Sequence, residues 1–127
     1  LLNHLRASFE DAPEADQLLP VLLEACELYR RHGVFNCLLS DGDWLFSFCT
    51  SKLAHITRRA PFGPAHLKDA DMQVDFQAET TPNDVVTVLA TEPLTDNEQW
   101  QLYQPGEWRL WRGGECIAQG QLEHANV

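Results

Sequence analysis

A chain of 127 residues that is 44% hydrophobic, with four tryptophans and six phenylalanines, can bury one core and is too short for two domains. Nine Lys and Arg against nineteen Asp and Glu leave a net charge of −10, which argues against nucleic acid, since phosphate binding needs clustered cations. No apolar run reaches the length of a membrane span and no basic-then-apolar leader opens the sequence, so a soluble, cytoplasmic protein without membrane contact is expected.

The elements follow in chain order. Leu1, Leu2, Leu5 and Phe9 keep helical spacing from the first residue with no capping residue ahead of them. That pattern leads us to expect that the natural chain begins further upstream. Glu10 to Glu14 reads as a loop. A second helix is predicted from about Asp16 to His32, with Leu18, Leu22, Ala25 and Tyr29 on one stripe and Leu19, Leu23 and Cys26 beside it. Pro20 predicts an irregular first turn, and Gly33 is placed to end the helix.

Val34 to Cys49 carries the clearest local signal. Asp41-Gly42 between two apolar runs predicts a two-residue hairpin turn, which would pair Leu39 with Trp44, Cys37 with Phe46 and Phe35 with Phe48. One face then presents Phe35, Cys37, Leu39, Trp44, Phe46 and Phe48. The other presents Val34, Asn36, Leu38, Leu45, Ser47 and Cys49, so both faces are expected to be covered. Further on, His55 to Arg59 is a short strand, Pro61 to Pro64 a turn, and Met72, Val74 and Phe76 alternate as in a strand. Val85 to Ala90, a run of strand length that is apolar but for Thr87, is expected to be a central strand. Gly113-Gly114 predicts a second hairpin that sets Arg112 opposite Glu115. The order of elements suits an α+β domain with a mainly antiparallel sheet.

Several blocks of this sequence resemble one family. Thr57-Arg-Arg-Ala-Pro-Phe-Gly63, Val74-Asp-Phe76 and Asp84-Val-Val-Thr-Val-Leu-Ala-Thr-Glu-Pro-Leu-Thr-Asp-Asn-Glu-Gln-Trp100 are similar to the second half of the YafJ-like class II glutamine amidotransferases, which are N-terminal-nucleophile hydrolases. Arg31 to Gly42 and Pro105 to Trp108 extend the likeness. It implies half of a four-layer α-β-β-α sandwich, with residues 1–127 forming the C-terminal portion of a single domain. It also implies that the intact protein cleaves the amide of glutamine or of a γ-glutamyl compound through a thioester on an N-terminal cysteine, whose own amine serves as the base. In the family the oxyanion-hole Asn-Gly and the substrate contacts lie in the first half, so no catalytic residue is carried onto this sequence. The expected partners are glutamine or a γ-glutamyl small molecule, together with the N-terminal half or a second copy of the chain. A non-catalytic interaction module built on the same fold is the alternative expectation.

The remaining candidates weigh against any other chemistry. Cys26, Cys37, Cys49 and Cys116 sit in apolar segments with no C-x-x-C spacing, and are read as reduced and buried rather than reactive. His4, His32 and His124 read as surface residues. His55 and His66 have no third ligand nearby, so no metal is expected, and no cofactor motif is present. Asp69, Asp71 and Asp75 lack the calcium-loop pattern. Arg58 and Arg59 before a rigid turn could hold an anionic substrate group, or equally pair with the acidic surface.

Overall fold

The structure is a computed structural model that describes residues 1–11, 13–60, 64–66, 73–75 and 84–123. Helix α1 spans Leu2–Ser8 and α2 spans Ala15–Arg30. At the start of α2, the Glu14 backbone N–H donates to Gln17 Oε1 at 3.1 Å, satisfying a group at the helix entry. Pro20 lies inside α2 and the helix runs through it, so the irregular first turn expected from the sequence is absent. The helix ends one turn's fraction before His32, and Gly33 turns the chain at a φ of +144°, a region that favours glycine.

The strands are β1 (Cys37–Ser40), β2 (Trp44–Phe48), β3 (Ala54–Arg59), β4 (Pro64–His66), β5 (Gln73–Asp75), β6 (Val85–Ala90), β7 (Gln101–Leu102), β8 (Glu107–Arg112) and β9 (Glu115–Gln121). Every pairing among the described residues is antiparallel. One sheet has the order β1-β2-β8-β9, a second β6-β3-β7, and β4 pairs with β5. The architecture is therefore α+β, as the element order predicted.

The first hairpin corrects the sequence reading in one respect. Cys37 pairs with Phe48, Leu39 with Phe46 and Ser40 with Leu45, a register two residues away from the predicted one. The cause is turn chemistry. Asp41 Oδ1 accepts the backbone N–H groups of Asp43 at 2.8 Å and Trp44 at 3.1 Å, while Ser40 Oγ donates to the Trp44 carbonyl at 2.6 Å. These side-chain bonds centre the turn on Gly42-Asp43. Because the slip is an even number of residues, every side chain keeps its predicted face.

That face forms the main core. Trp44, Phe46 and Phe48 of β2 and Leu110 of β8 pack against Leu18, Leu22 and Cys26 of α2, and Phe46 and Phe48 are fully buried. Helices thus cover one side of the four-stranded sheet. The opposite side meets the second sheet, where Ser47 of β2 and Trp111 of β8 approach Tyr103 and His55.

At one end the two sheets are tied by hydrogen bonds. Thr87 Oγ1 of β6 donates to the Gly114 carbonyl in the β8–β9 turn at 2.6 Å, and Thr57 Oγ1 lies 2.7 Å from Thr87 Oγ1. Gly113 and Gly114 both have positive φ, and a Cβ on Gly114 would meet the Val85 carbonyl oxygen at 2.5 Å. Glycine there permits both the tight turn and the close approach of β6. Arg112 faces Glu115 across this hairpin, as predicted.

Strand β6 matches the predicted bounds, yet β3 is the central strand of its sheet and β6 flanks it. On the outward side of this sheet Val86 is 42% exposed and Leu102 66% exposed. Of the predicted turn from Pro61 to Pro64, residues 61–63 lie outside the described residues and Pro64 begins β4. The strand expected around Val74 is β5.

Candidate functional site

Nucleophilic chemistry would need an activated thiol, and the four cysteines are all free. Cys26 of α2 is buried in the main core, which pushes its thiol up to about 12, with Cys37 adding to the rise. Burial likewise raises the Cys37 and Cys49 thiols. A thiol whose anion is disfavoured in this way is a poor nucleophile at neutral pH. Cys37 and Cys116 are half-buried, less enclosed than the sequence predicted. Cys116 also has a cation beside it, since Arg109 Nη1 donates to its sulfur at 3.8 Å. That contact joins strands β8 and β9 across the sheet and was not legible in the sequence.

Arg58 and Arg59 part company. Arg58 projects to the outward side of β3, where Nε and Nη2 donate to the two carboxylate oxygens of Glu98 at 2.8 and 2.6 Å. Thr95 Oγ1 donates to the same carboxylate at 2.8 Å and accepts the indole N–H of Trp100 at 2.8 Å. This fork fastens the segment after β6 over the sheet, a structural use of the arginine. The Arg58 hydrogen bonds hold the Glu98 carboxyl below its ordinary range. Arg59 instead pairs with Glu115 at the exposed seam between the sheets. Both guanidiniums are thus engaged by carboxylates of the chain.

His4 packs edge-on against Tyr29, with ring centroids 6.5 Å apart, and His32 is exposed. His124, Asp69 and Asp71 lie outside the described residues, and of His66 and Asp75 only the strand positions are described. Among the described residues no group of three His, Cys, Asp or Glu side chains is arranged to hold a metal.

Two concavities border the first hairpin. One, of about 360 Å³, lies between α1 and the first hairpin and is walled mainly by Leu5, Phe9, Leu18, Leu39 and Trp44. The other, of about 220 Å³, opens between the sheets at the two hairpin turns, with Ser40, Leu45, Thr87, Leu89 and Trp111 on its walls. Behind it runs a buried polar cluster. Ser47 Oγ lies 2.7 Å from the Tyr103 hydroxyl and 3.1 Å from the Arg109 carbonyl oxygen, to which it donates. It also accepts the Trp111 indole N–H at 3.1 Å. With one proton to give and the Arg109 carbonyl receiving it, Ser47 accepts from Tyr103 as well. Burial pushes the Tyr103 phenol up to about 12. The Arg109 guanidinium, bound to Glu107 at 2.8 Å, sits 5.8 Å from the Tyr103 ring and 5.9 Å from the Trp111 ring. The sequence showed only that Ser47 interrupts a half-apolar face.

Face-to-face antiparallel sheets with helices on one outer side make an α+β architecture. Residues 1–127 match the family described as class II glutamine amidotransferases, and the chain belongs to that family. It is 60% identical over 88 residues to the protein named "Putative glutamine amidotransferase YafJ" from Escherichia coli (strain K12), covering 69% of this chain and 34% of that protein. It is 32% identical over 119 residues to a protein from Haemophilus influenzae named "Putative glutamine amidotransferase", covering 94% of this chain and 40% of that one. The crystal structure of a Pseudomonas aeruginosa protein, described as a predicted glutamine amidotransferase, superposes with a TM-score of 0.81 at 68% identity. That match covers 92% of this chain and 46% of the solved chain. The chain thus spans less than half the length of each of these three relatives.

Proposed function

We propose that residues 1–127 are the C-terminal portion of a class II glutamine amidotransferase domain whose nucleophile and substrate contacts lie on polypeptide outside this sequence. The intact enzyme attacks the amide carbonyl of glutamine, or of a γ-glutamyl compound, with the thiolate of an N-terminal cysteine. The amide nitrogen takes a proton from that residue's own ammonium group and leaves as ammonia. Water then hydrolyses the thioester, releasing the γ-carboxylate and restoring the thiol. This portion supplies the helix layer, the two sheets and the loops that bear on the pocket. The fourth layer of the family's sandwich would cover the outward side of β6-β3-β7, and the exposure of Val86 and Leu102 there supports that placement. The family's chemistry needs only soluble partners, and no helix among the described residues is long and apolar enough to cross a membrane.

The observation that carries this reading is that the family match runs the whole length of the chain while the chain covers only 34% of the Escherichia coli relative and 46% of the solved one. Burial, which raises three of its four thiols, supports it. The test is ammonia and glutamate release from glutamine by the 127-residue chain and by a version extended upstream to the family's terminal cysteine. The extended protein is expected to turn over and the 127-residue chain to be silent. Turnover by the short chain that disappears on Cys37→Ser or Cys49→Ser would refute the proposal.

A further inference from the structure

His55 occupies the middle of β3 on the side facing the four-stranded sheet and is 6% exposed. Both of its ring nitrogens are buried without a hydrogen-bond partner among the described residues. Its neighbours are aromatic. The Tyr103 ring stands perpendicular at 5.4 Å between centroids, and the Trp111 ring is inclined at 60° at 5.1 Å. A neutral imidazole left unpaired here loses one or two hydrogen bonds to water. An imidazolium in the same place would be an uncompensated buried charge, which is far costlier.

Of the charged groups packed around the ring, Glu107 alone favours such a charge, and burial and Arg109 outweigh it. From β8, Arg109 brings a second cation, and it already lies against the Tyr103 and Trp111 rings to which another cation would be drawn. Glu107, the carboxylate of that strand, has Oε2 engaged by Arg109 at 2.8 Å and Oε1 by the Gln104 backbone N–H at 3.0 Å. The Tyr103 hydroxyl and the Trp111 N–H are both directed to Ser47 of β2. Cys49, after β2, keeps its thiol because burial raises it. On β9, Cys116 meets Arg109. Leu89 of β6 and Gln101 of β7, opposite His55 in register, carry no charge.

We propose that His55 makes the packing of the two sheets acid-labile: the interface holds the ring only in its neutral form, and protonation separates β3 from β8. Burial first, and the Arg109 charge second, depress the imidazole pKa in the folded chain, with Glu107 opposing them. A base with a depressed folded pKa contributes stability that is fully present above its unfolded pKa, about 6.5, and is lost as pH falls below that value. The window is therefore mildly acidic, above the range in which carboxylates titrate.

The experiment is urea unfolding of the 127-residue chain and of His55→Phe, which keeps an aromatic ring without the titrating nitrogens, at intervals from pH 8 to pH 5. Relative to the variant, the unfolding equilibrium constant of the unsubstituted chain is expected to rise as pH falls below about 6.5, by at most about tenfold per pH unit (one proton's worth), until the folded pKa is reached. A ratio that stays flat across that range overturns the proposal. If His55→Phe does not fold, the nitrogen-15 shifts of the His55 ring in the unsubstituted chain decide. Their titration midpoint should lie below the ordinary histidine value of about 6.5. A ring that titrates at the ordinary value with the fold intact would overturn it equally.

Discussion

Phe46 is the position where the core can be tested most directly. It is fully buried, flanked in register by Leu39 on β1 and Leu110 on β8, with the Trp108 ring stacked against it at 6.5 Å. Below it lie Leu18, Leu22 and Cys26 of α2. Replacing Phe46 with Ala forfeits about 1.5–3 kcal/mol of transfer free energy. Because β2 is hydrogen-bonded on both edges, its backbone cannot sink into the space left behind, so a cavity term adds to the loss and brings it to about 3–5 kcal/mol. That is a large share of the roughly 5–15 kcal/mol that holds a domain together. Urea unfolding followed by tryptophan fluorescence reads it out, since Trp44 and Trp108 both border the site. With m-values of about 1–3 kcal/mol/M, the midpoint should fall by more than about 1 M. A loss below about 1 kcal/mol would mean that α2 does not seal this face, and the helix-on-sheet arrangement would be wrong.

Two further outcomes follow from the side-chain pairs. Arg58→Gln should destabilise the chain by about 1–3 kcal/mol at neutral pH by removing a forked, charge-assisted pair from Glu98. The Glu98 carboxyl has a depressed folded pKa, so its contribution is present above the unfolded value of about 4.3 and is lost as pH falls through the folded one. The variant should accordingly show a shallower loss of stability below pH 4.5 in acid titrations, and an unchanged slope would refute the role of the pair. For the cysteines, titration with a thiol reagent in denaturant without reductant should count all four, with Cys26 and Cys49 unreactive while the chain is folded. A count of two would show a disulfide and contradict the placement of Cys37 and Cys49 in separate cores.

What the sequence disclosed, and what it withheld, divides by the range of the interactions. The alternation in Val34 to Cys49 identified the buried face because side-chain direction along a strand depends on parity alone. The turn was misplaced because Asp-Gly is a backbone preference, whereas Ser40 and Asp41 fix this turn through their side chains. Both errors and successes there are local. The run Val85 to Ala90 was read correctly as a strand, but among the described residues it does not lie centrally in its sheet. Such a run reports that both faces of a strand avoid water, and it cannot report how many strands lie beside it. Here β6 flanks its sheet, and Val86 remains 42% exposed on the side where the proposed further layer would lie. The forked pair of Arg58 with Glu98 joins residues forty apart, and the contact of Ser47 with Tyr103 joins residues fifty-six apart. No periodicity encodes either.

The two sides of the four-stranded sheet are built by different physics, and that difference bears on where function can reside. Toward α2 the sheet offers Trp44, Phe46, Phe48 and Leu110, groups that tolerate exchange for others of similar volume. Toward the second sheet it offers Ser47, Arg109 and Trp111, whose hydrogen bonds fix one relative position of β2, β8 and the segment holding Tyr103. A buried polar network of this kind is costly when half satisfied and specific when complete. Beside it, among the described residues, the buried His55 imidazole has neither ring nitrogen paired. A substitution on the helix side should therefore change how much stability the domain has. One between the sheets should change which arrangement is stable and at what pH, and it is that arrangement that sets the spacing of the walls around the inter-sheet opening.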